Sequence, residues 1–479
     1  MPSSSSTFGP KGFAIARSCA DNNASADSMA IVEDRPYFPF LAVDPSDERG
    51  MIRAAKSVVE AYCNLQSDAG GHVDDADATV ATVPGGLTNS LYKIDFPSLS
   101  RHSGGGTFLI RLFGAEGMID RDAETATFAR LVDAEGAITH PSLRYIGRFA
   151  NGRVEAFIPD MRQSELSDIR SPPVYNSVAR QLARLHCRFD IPEYLYEKEC
   201  RRNIDDGRTE MVHFLNVVLD WIGGLEGMMA DLDLETVELI RSAVVGEEGG
   251  AACDCDCGGS ENADAAIPSA IGGEIASYLR RETGWLQSAV PRRHPRAAVA
   301  FAHNDLWTQN ILMREKESDD SANEDTEVCI IDYEWGMVNY AMYDVANFFC
   351  EMCGGNEDGV PDVELFPSRE CQEEFLREYI GERGRILRDR GRECQESEDE
   401  SISELLSQIQ LFRMASDLIR GVLATLQACG EILQAGPSFC VEDARLRLDG
   451  VIGLDSLDKL RYGKNRLRNY SVCKKAVAE

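Results

Sequence analysis

No stretch of this 479-residue chain approaches the roughly 20 consecutive apolar residues that a membrane-spanning helix needs. The most apolar candidate, Met211 to Met229, is interrupted by Asp220 and Glu226. Basic residues are also scarce: 49 Lys and Arg stand against 80 Asp and Glu, which gives a net charge of −31. A surface this acidic argues against non-specific binding to nucleic acid and against docking on an anionic membrane, because both ligands are negatively charged. We therefore expect no nucleic-acid partner and no membrane insertion.

The N-terminus has no apolar signal-peptide core followed by a small-residue cleavage site. Residues 1–45 are rich in Ser, Ala, Asn and Asp, which predicts a disordered N-terminal tail, and the Ser-rich start leaves an organelle transit peptide open. The fifteen cysteines are a small share of a long chain, and an odd number cannot all pair. We therefore expect reduced thiols and a cytoplasmic location.

The first part of the chain has the pattern of a strand-rich lobe, which we place at residues 46–159. A helical pattern is followed by a hairpin, a third strand, a crossing helix and a second strand pair joined by Asn151-Gly152. The predicted helices are Asp47–Leu65 and Asp120–Val132, and the predicted strands are Ala78–Val83, Ser90–Phe96, Thr107–Phe113, Leu143–Phe149 and Arg153–Ile158.

The second part, residues 160–470, is mainly helical in pattern and predicts a C-terminal lobe. Two polar segments interrupt it. Residues 246–273 are rich in Gly and alternate Cys with Asp, which predicts a disordered insertion, and residues 383–402 form a charged insertion. A last long helix is predicted at Leu405–Leu426.

The residues that indicate chemistry lie after two short apolar runs in this second part. His303-Asn304-Asp305-Leu306-Trp307-Thr308-Gln309-Asn310 is followed after 21 residues by Asp332, at the end of the run Val328–Ile331. Phosphoryl transfer needs a carboxylate that aligns the attacking hydroxyl, and oxygen ligands that hold Mg²⁺ on the phosphates. We assign the first role to Asp305 and the metal to Asn310 and Asp332, and predict all three as catalytic. The alternative is that Asp305 and Asn310 only cap a turn.

These motifs resemble the choline/ethanolamine kinase family, which shares the protein-kinase-like fold with the aminoglycoside phosphotransferases. The second signature of that family is matched by Ile331-Asp332-Tyr333-Glu334, Asp344 and Glu351, with every spacing kept. The resemblance covers about Val83 to Leu457 apart from the two insertions. It implies a bilobal α+β fold, with an antiparallel-sheet N-lobe and a mainly helical C-lobe, and it implies ATP and Mg²⁺ as cofactors.

In the N-lobe the resemblance implies a nucleotide site. The run 85–90, Gly-Gly-Leu-Thr-Asn-Ser, resembles the glycine-rich turn over the phosphates. Arg111 occupies the place of the phosphate-binding lysine of protein kinases, and we expect Glu124 to pair with it; a plain surface ion pair is the alternative. Ala156-Phe157-Ile158-Pro159 resembles the hinge that binds adenine, and an edge strand with a proline is the alternative. The residues expected at the nucleotide are Asn89, Ser90, Arg111, Gly114, Glu124, Phe157 and Ile158.

For the acceptor, the resemblance implies a pocket for a cationic alcohol, lined by Asp305, Glu334, Trp335 and Glu351. Choline kinases surround the quaternary ammonium with aromatic rings, and Trp335 falls on one such position. Two tryptophans that the family has in its C-terminal helix are replaced here by Arg420 and Leu423. A trimethylammonium group donates no ordinary hydrogen bond, whereas a primary ammonium has three N–H donors. The departure therefore favours ethanolamine.

The function expected from the sequence is that of an ATP-dependent ethanolamine kinase, which makes phosphoethanolamine as the first step of the CDP-ethanolamine route to phosphatidylethanolamine. The partners would be a small amino-alcohol and ATP, and a homodimer is left open. A choline kinase or a kinase for both alcohols is one alternative. A non-catalytic binding protein on a kinase-like scaffold is another, because fold alone does not determine function.

Overall fold

The structure, a computed structural model, describes residues 35–66, 72–84, 89–99, 106–114, 119–134, 138–195, 215–246, 263–314, 326–356, 358–391, 398–436, 439–448 and 456–478. Its strands are β1 Tyr37–Phe38, β2 Thr79–Val83, β3 Asn89–Asp95, β4 Thr107–Phe113, β5 Tyr145–Phe149, β6 Gly152–Ala156, β7 Arg162–Gln163, β8 Val299–Ala302, β9 Ile311–Met313, β10 Val328–Ile330 and β11 Met337–Tyr340. Its α-helices are α1 Glu48–Gln66, α2 Arg121–Asp133, α3 Leu166–Ile169, α4 Pro172–Arg188, α5 Leu215–Met229, α6 Leu234–Val245, α7 Ala263–Arg293, α8 Ala341–Glu351, α9 Arg369–Asp389, α10 Glu398–Ala435, α11 Val441–Leu448 and α12 Ser456–Ala478.

The N-terminal part is built on one sheet with the strand order β1-β5-β6-β4-β3-β2. Strand β1 pairs in parallel with β5, and the other neighbouring strands are antiparallel. Helix α1 packs against this sheet, because its apolar residues Val58 and Val59 are buried in one cluster with Ile110 and Val154. The predicted antiparallel-sheet lobe is therefore confirmed, with the strands close to their expected places.

The predicted boundary of the N-terminal tail is wrong. Residues 1–34 lie outside the described residues, but Tyr37–Phe38 pair with β5, and Val43 is buried in the core beneath the sheet. Backbone pairing and apolar burial hold this segment in place, and a two-residue strand leaves no periodic pattern in the sequence. The chain therefore enters the sheet before residue 45.

Helix α2 connects the sheet to the helical part. Asp120 caps its first turn by accepting a hydrogen bond from the Ala123 backbone N–H. Its buried Phe128 and Leu131 belong to the larger, C-terminal hydrophobic core, and Phe128 packs edge-on against Tyr145. Apolar contact through α2 therefore joins the expected N-lobe to the rest of the molecule.

The C-terminal part consists mainly of helices packed around α10, which contacts α5, α8 and α12. The apolar stripe predicted for this helix is buried at Ile409, Phe412, Ile419 and Leu426, and the helix extends beyond its predicted ends at both termini. Within the described ranges, none of the helices combines the length and apolar character required to cross a membrane.

The two insertions predicted in this lobe are partly helical. Helix α7 begins at Ala263, so the end of the predicted insertion 246–273 is ordered, while residues 247–262 lie outside the described residues. Helix α9 continues to Asp389 and α10 begins at Glu398, so both ends of the predicted segment 383–402 are helical. Charged residues on an exposed helix face look like an insertion in the sequence, because only one side of such a helix needs apolar residues.

Candidate active site

Two short antiparallel strands bring the two predicted motifs together. Strand β9 directly follows the 3₁₀ turn Thr308–Asn310, and strand β10 ends two residues before Asp332. Just beyond the paired residues, the Ile331 N–H donates to the Asn310 carbonyl over 3.0 Å. The backbone of Asn310 therefore lies beside the residue that precedes Asp332.

Asp305 lies at a partly open position, with its carboxylate held from two sides. The Asn310 side-chain nitrogen donates to the Asp305 carbonyl at 2.8 Å and to its Oδ2 at 3.1 Å. The other carboxylate oxygen, Oδ1, accepts from the guanidinium of Arg420. The Asp305 side chain keeps 14% of its surface exposed. A hydroxyl group can therefore reach this carboxylate from solvent.

A buried aspartate fixes the loop that carries Asp305. Asp344 accepts from the backbone N–H groups of His303 and Asn304, each over 2.8 Å, and lies 3.0 Å from His186 Nε2. Asn304 has a positive φ of 66°, and its side-chain oxygen accepts from Asn339 at 2.7 Å. A fully buried carboxylate is stable only with such partners. The hydrogen bonds to Asp344 therefore hold a strained loop in one conformation.

Asp332 also has left-handed backbone geometry, with φ of 65°, which is uncommon outside glycine. Its Oδ1 accepts from Arg111 Nη1 over 2.8 Å, so a residue of the sheet is paired directly with one of the C-lobe. Burial works against the charge of Arg111, but the carboxylates of Asp332 and Glu155 raise its pKa above the ordinary value. Arg111 and Asp332 therefore lie together, and their roles toward phosphate and metal stay predictions.

The expected pair between Arg111 and Glu124 is not what the structure shows. Arg111 Nε lies 3.1 Å from Glu155 Oε1, whereas Glu124 lies 2.5 Å from Arg153 Nη1 and 2.9 Å from Arg121 Nη1. Arg111 and Arg153 are directly opposite on β4 and β6, and Glu155 follows two residues later on the same face. Glu155 therefore accepts from both guanidinium groups, and Glu124 neutralises Arg153 instead.

Glu334, predicted at the acceptor, contacts the sheet. Its Oε2 accepts from Asn89 Nδ2 at 2.7 Å and lies 3.1 Å from Arg121 Nη1. Burial, reinforced by the charge of Asp332, raises the pKa of Glu334 to about 7. Asn89 begins β3 immediately after residues 85–88 of the predicted glycine-rich turn, which lie outside the described residues. Glu334 therefore lies against Asn89 and Arg121, and its contact with an acceptor stays a prediction.

The remaining residues predicted at the nucleotide lie on or just beyond the same sheet. Ser90 is exposed on β3, and the Gly114 carbonyl accepts from Arg121 Nη2 at 2.6 Å. Phe157 is half-buried and Ile158 is buried directly after β6. Their contacts with a nucleotide stay predictions.

On the other side of Asp305, Glu351 belongs to a buried cluster of charges. Its Oε1 lies 2.8 Å from Arg466 Nη2 and 3.8 Å from Arg420 Nε, and its Oε2 accepts from Asn356 at 3.0 Å. Arg466 Nη1 lies a further 3.2 Å from Asp417 Oδ1. The carboxylates of this cluster are therefore already paired with arginine side chains.

Trp335 packs into the hydrophobic core. Its ring lies edge-on to Trp221, with centroids 5.4 Å apart, and only 8% of the residue is exposed. Its carbonyl accepts from the Asn304 side chain at 2.9 Å, which ties it to the loop of Asp305. The contribution of Trp335 to an acceptor pocket stays a prediction.

The buried carboxyl of Asp417 makes stability depend on pH. Burial raises its pKa from 3.8 to about 6. As pH rises through 6, the folded protein must ionise a group that the unfolded chain ionises easily, so this contribution to stability is present at low pH and is lost at high pH. The unfolding free energy of Asp417→Asn minus that of wild type should therefore increase by about 1–2 kcal/mol as the pH rises from 5 to 8. Denaturant titrations at both values measure this difference, and an equal offset at both would contradict it.

The residues present suit a magnesium ion bound with a nucleotide. The Asn310 side-chain nitrogen is used by Asp305, which leaves its amide oxygen for a metal, and Asp332 adds a carboxylate. Mg²⁺ prefers such hard oxygen ligands and takes the rest from phosphates and water. Among the described residues, no group of three or more His, Cys, Asp or Glu side chains could bind a metal ion by itself. The donor set therefore fits a metal that arrives with phosphates.

Comparison with known proteins points to one enzyme family. The family model for choline/ethanolamine kinases matches residues 80–471. A probable choline kinase of Arabidopsis thaliana is 24% identical over 367 residues, covering 75% of this chain and 82% of that protein. Ethanolamine kinase 1 of Homo sapiens is 27% identical over 410 residues, covering 85% of this chain and 73% of that protein.

Solved structures show the same protein-kinase-like fold. The ethanolamine kinase of Plasmodium vivax superposes with a TM-score of 0.56 at 20% identity, over 95% of each chain. The choline kinase of Cryptosporidium parvum gives 0.52 at 17% identity, over 88% of this chain and 96% of that one. The match over residues 80–471 includes both lobes and both motifs, and it makes the protein a phosphotransferase with an alcohol acceptor, a kinase activity that implies ATP. The chain belongs to the choline/ethanolamine kinase family.

Proposed function

We propose that this enzyme transfers the γ-phosphoryl group of ATP to ethanolamine, giving phosphoethanolamine and ADP. The observation that carries the proposal is the arrangement around β9 and β10. It combines a reachable carboxylate at Asp305, an adjoining amide at Asn310, and a second carboxylate at Asp332 that is paired with Arg111 of the sheet. Phosphoryl transfer depends on such positioning and charge stabilisation more than on covalent chemistry.

In the proposed step, Asp305 aligns the hydroxyl of the acceptor and receives its proton. The hydroxyl oxygen forms a bond to the γ-phosphorus while the bond from that phosphorus to the oxygen of ADP breaks. Arg111 is buried and cationic, so it offsets phosphate charge in a site of low dielectric. Asn310 and Asp332 would hold Mg²⁺, which when bound neutralises charge on the phosphates.

The preference for ethanolamine rests on the chemistry of the acceptor side. Relatives named for choline and for ethanolamine have similar identities, so identity does not choose between the two alcohols. Helix α10 has Arg420 and Leu423 where aromatic rings would hold a quaternary ammonium. The acceptors beside Asp305 are carboxylates that guanidinium groups already hold, so an ammonium that displaces a guanidinium must itself donate hydrogen bonds to them. A primary ammonium supplies three N–H donors, and a trimethylammonium supplies none.

We expect ethanolamine to be phosphorylated with a kcat/KM about tenfold to a hundredfold above that of choline. The reason is that one buried acceptor left unpaired by the methylated group costs roughly 1–3 kcal/mol. Steady-state kinetics of ethanolamine, its mono- and dimethyl forms and choline would measure the preference. Efficiency that rises with methylation would contradict it and would support the alternative of a choline kinase.

We further propose that the product enters the CDP-ethanolamine route to phosphatidylethanolamine, because a phosphorylated amino-alcohol is the substrate for transfer of a cytidylyl group. Depletion of the enzyme should then lower cellular phosphoethanolamine, as measured by labelling cells with ethanolamine. The cytoplasmic location and the homodimer stay predictions.

A further inference from the structure

Arg420 is a cation in the acceptor region that the proposed reaction does not use. It extends from α10 and donates a hydrogen bond to Asp305 Oδ1, while its Nε lies 3.8 Å from Glu351 Oε1. The Arg420 and Asp305 side chains are 15% and 14% exposed, so their contact lies where an acceptor must arrive. The Nε–H of Arg420 is buried without a hydrogen-bond partner. The guanidinium is therefore held by charge more than by a complete set of hydrogen bonds.

Each of the carboxylates around this position already has a guanidinium partner. Asp305 pairs with Arg420, and Arg466 pairs with both Glu351 and Asp417. The carboxylates of this region are therefore not free to bind an arriving cation. An arriving ammonium must share or take over partners that guanidinium groups hold.

The size of the acceptor makes this competition direct. In a two-carbon amino-alcohol, the nitrogen lies within about 4 Å of the hydroxyl oxygen. With the hydroxyl on Asp305, the ammonium therefore falls close to the guanidinium that binds the same carboxylate. Two like charges at such a separation repel strongly in a partly buried site. If Arg420 moves away instead, it loses its contacts with Asp305 and Glu351.

We propose that Arg420 is a specificity-determining residue that weakens the binding of every ammonium acceptor, ethanolamine included, relative to an uncharged alcohol of the same shape, because its own positive charge lies in the ammonium subsite. This inference rests on the proposed function. It predicts that loss of the Arg420 charge raises kcat/KM for every cationic alcohol. A neutral alcohol of the same shape should show no such increase. A merely structural role would affect both kinds of alcohol alike.

The test compares choline with 3,3-dimethyl-1-butanol, its uncharged carbon analogue, in wild type and in Arg420→Gln. The ratio of kcat/KM for choline over the analogue should rise about tenfold to a hundredfold in the variant. The control is Arg413→Gln, which removes a charge two turns earlier on the same helix, where the guanidinium stacks over Phe366 at 3.9 Å. The control should leave the ratio unchanged. An unchanged or lower ratio in Arg420→Gln would overturn the inference.

A binding measurement separates this inference from the proposed function. Ethylammonium carries the charge but no hydroxyl, so its affinity by calorimetry does not depend on turnover. Arg420→Gln should bind it about tenfold tighter or more than wild type does. If neither protein phosphorylated ethanolamine, the proposed function would fail, and the ethylammonium affinities would still decide on Arg420. Equal affinities of wild type and Arg420→Gln for ethylammonium would refute the role of Arg420.

Discussion

Asp305→Asn is expected to lower kcat for ethanolamine by about a thousandfold or more, which corresponds to about 4 kcal/mol of transition-state stabilisation. Asparagine keeps the shape of the side chain, and its amide oxygen can still accept from Arg420. It cannot take the hydroxyl proton or stabilise the developing charge on the attacking oxygen. Single-turnover phosphorylation with saturating ATP would measure the loss in the chemical step itself.

A matched control is Asp362→Asn, because Asp362 is an exposed carboxylate that caps the short turn Val363–Leu365. It should retain wild-type kcat. The affinity of Asp305→Asn for ATP should also stay close to that of wild type, since Asp305 contacts Asn310 and Arg420 rather than the sheet. Near-normal turnover by Asp305→Asn would end the proposed role.

The proximity of Asp305, Asn310 and Asp332 could be predicted from the sequence because the information that determines it is local. Asp305 and Asn310 lie within one loop, and the hydrogen bonds between them depend on the four residues that separate them. Asp332 is brought to them by two adjacent short strands, which need only an antiparallel pairing. Where residues are close in the sequence, their spacing along the chain is enough to predict that their side chains lie together.

The partner of Arg111 could not be predicted in the same way. Its contacts depend on the register between β4 and β6, which places Arg111 opposite Arg153 and within reach of Glu155. The alternation of Arg153, Val154 and Glu155 in a buried central strand was an available signal, because charged residues there must be paired. The comparison with protein kinases pointed to Glu124 instead.

The contact between Arg420 and Asp305 has no local signal either. It depends on the packing of α10 against the loop and against α12. Gly421 permits the close approach of α12, since a Cβ there would lie 2.6 Å from Leu467 Cγ. The residue that precedes Leu467 on α12 is one of these long-range partners: Arg466 donates to Glu351 across 115 residues of sequence. Ion pairs between distant helices follow from tertiary packing, which periodicity does not encode.

Asp332→Asn is expected to lower kcat/KM by about a hundredfold to a thousandfold and to raise the Mg²⁺ concentration needed for half-maximal activity. The backbone at this position has φ of 65°, a conformation that asparagine adopts more readily than most residues. The fold should therefore tolerate the change. What is lost is one negative charge, which would ligate Mg²⁺ and which pairs with Arg111 at 2.8 Å. Activity titrated against Mg²⁺ at fixed ATP would measure both effects.

Asp160→Asn provides the matching control, because Asp160 has the same kind of left-handed backbone, with φ of 59°, at an exposed position. The two variants make the same chemical change in the same backbone conformation. A difference in activity between them is therefore due to the position of Asp332 in the site and not to the left-handed backbone. Asp160→Asn should keep wild-type activity and Mg²⁺ dependence. If excess Mg²⁺ restored nothing and the thermal midpoint of Asp332→Asn fell by many degrees, Asp332 would have to be counted as a structural partner of Arg111 rather than a metal ligand.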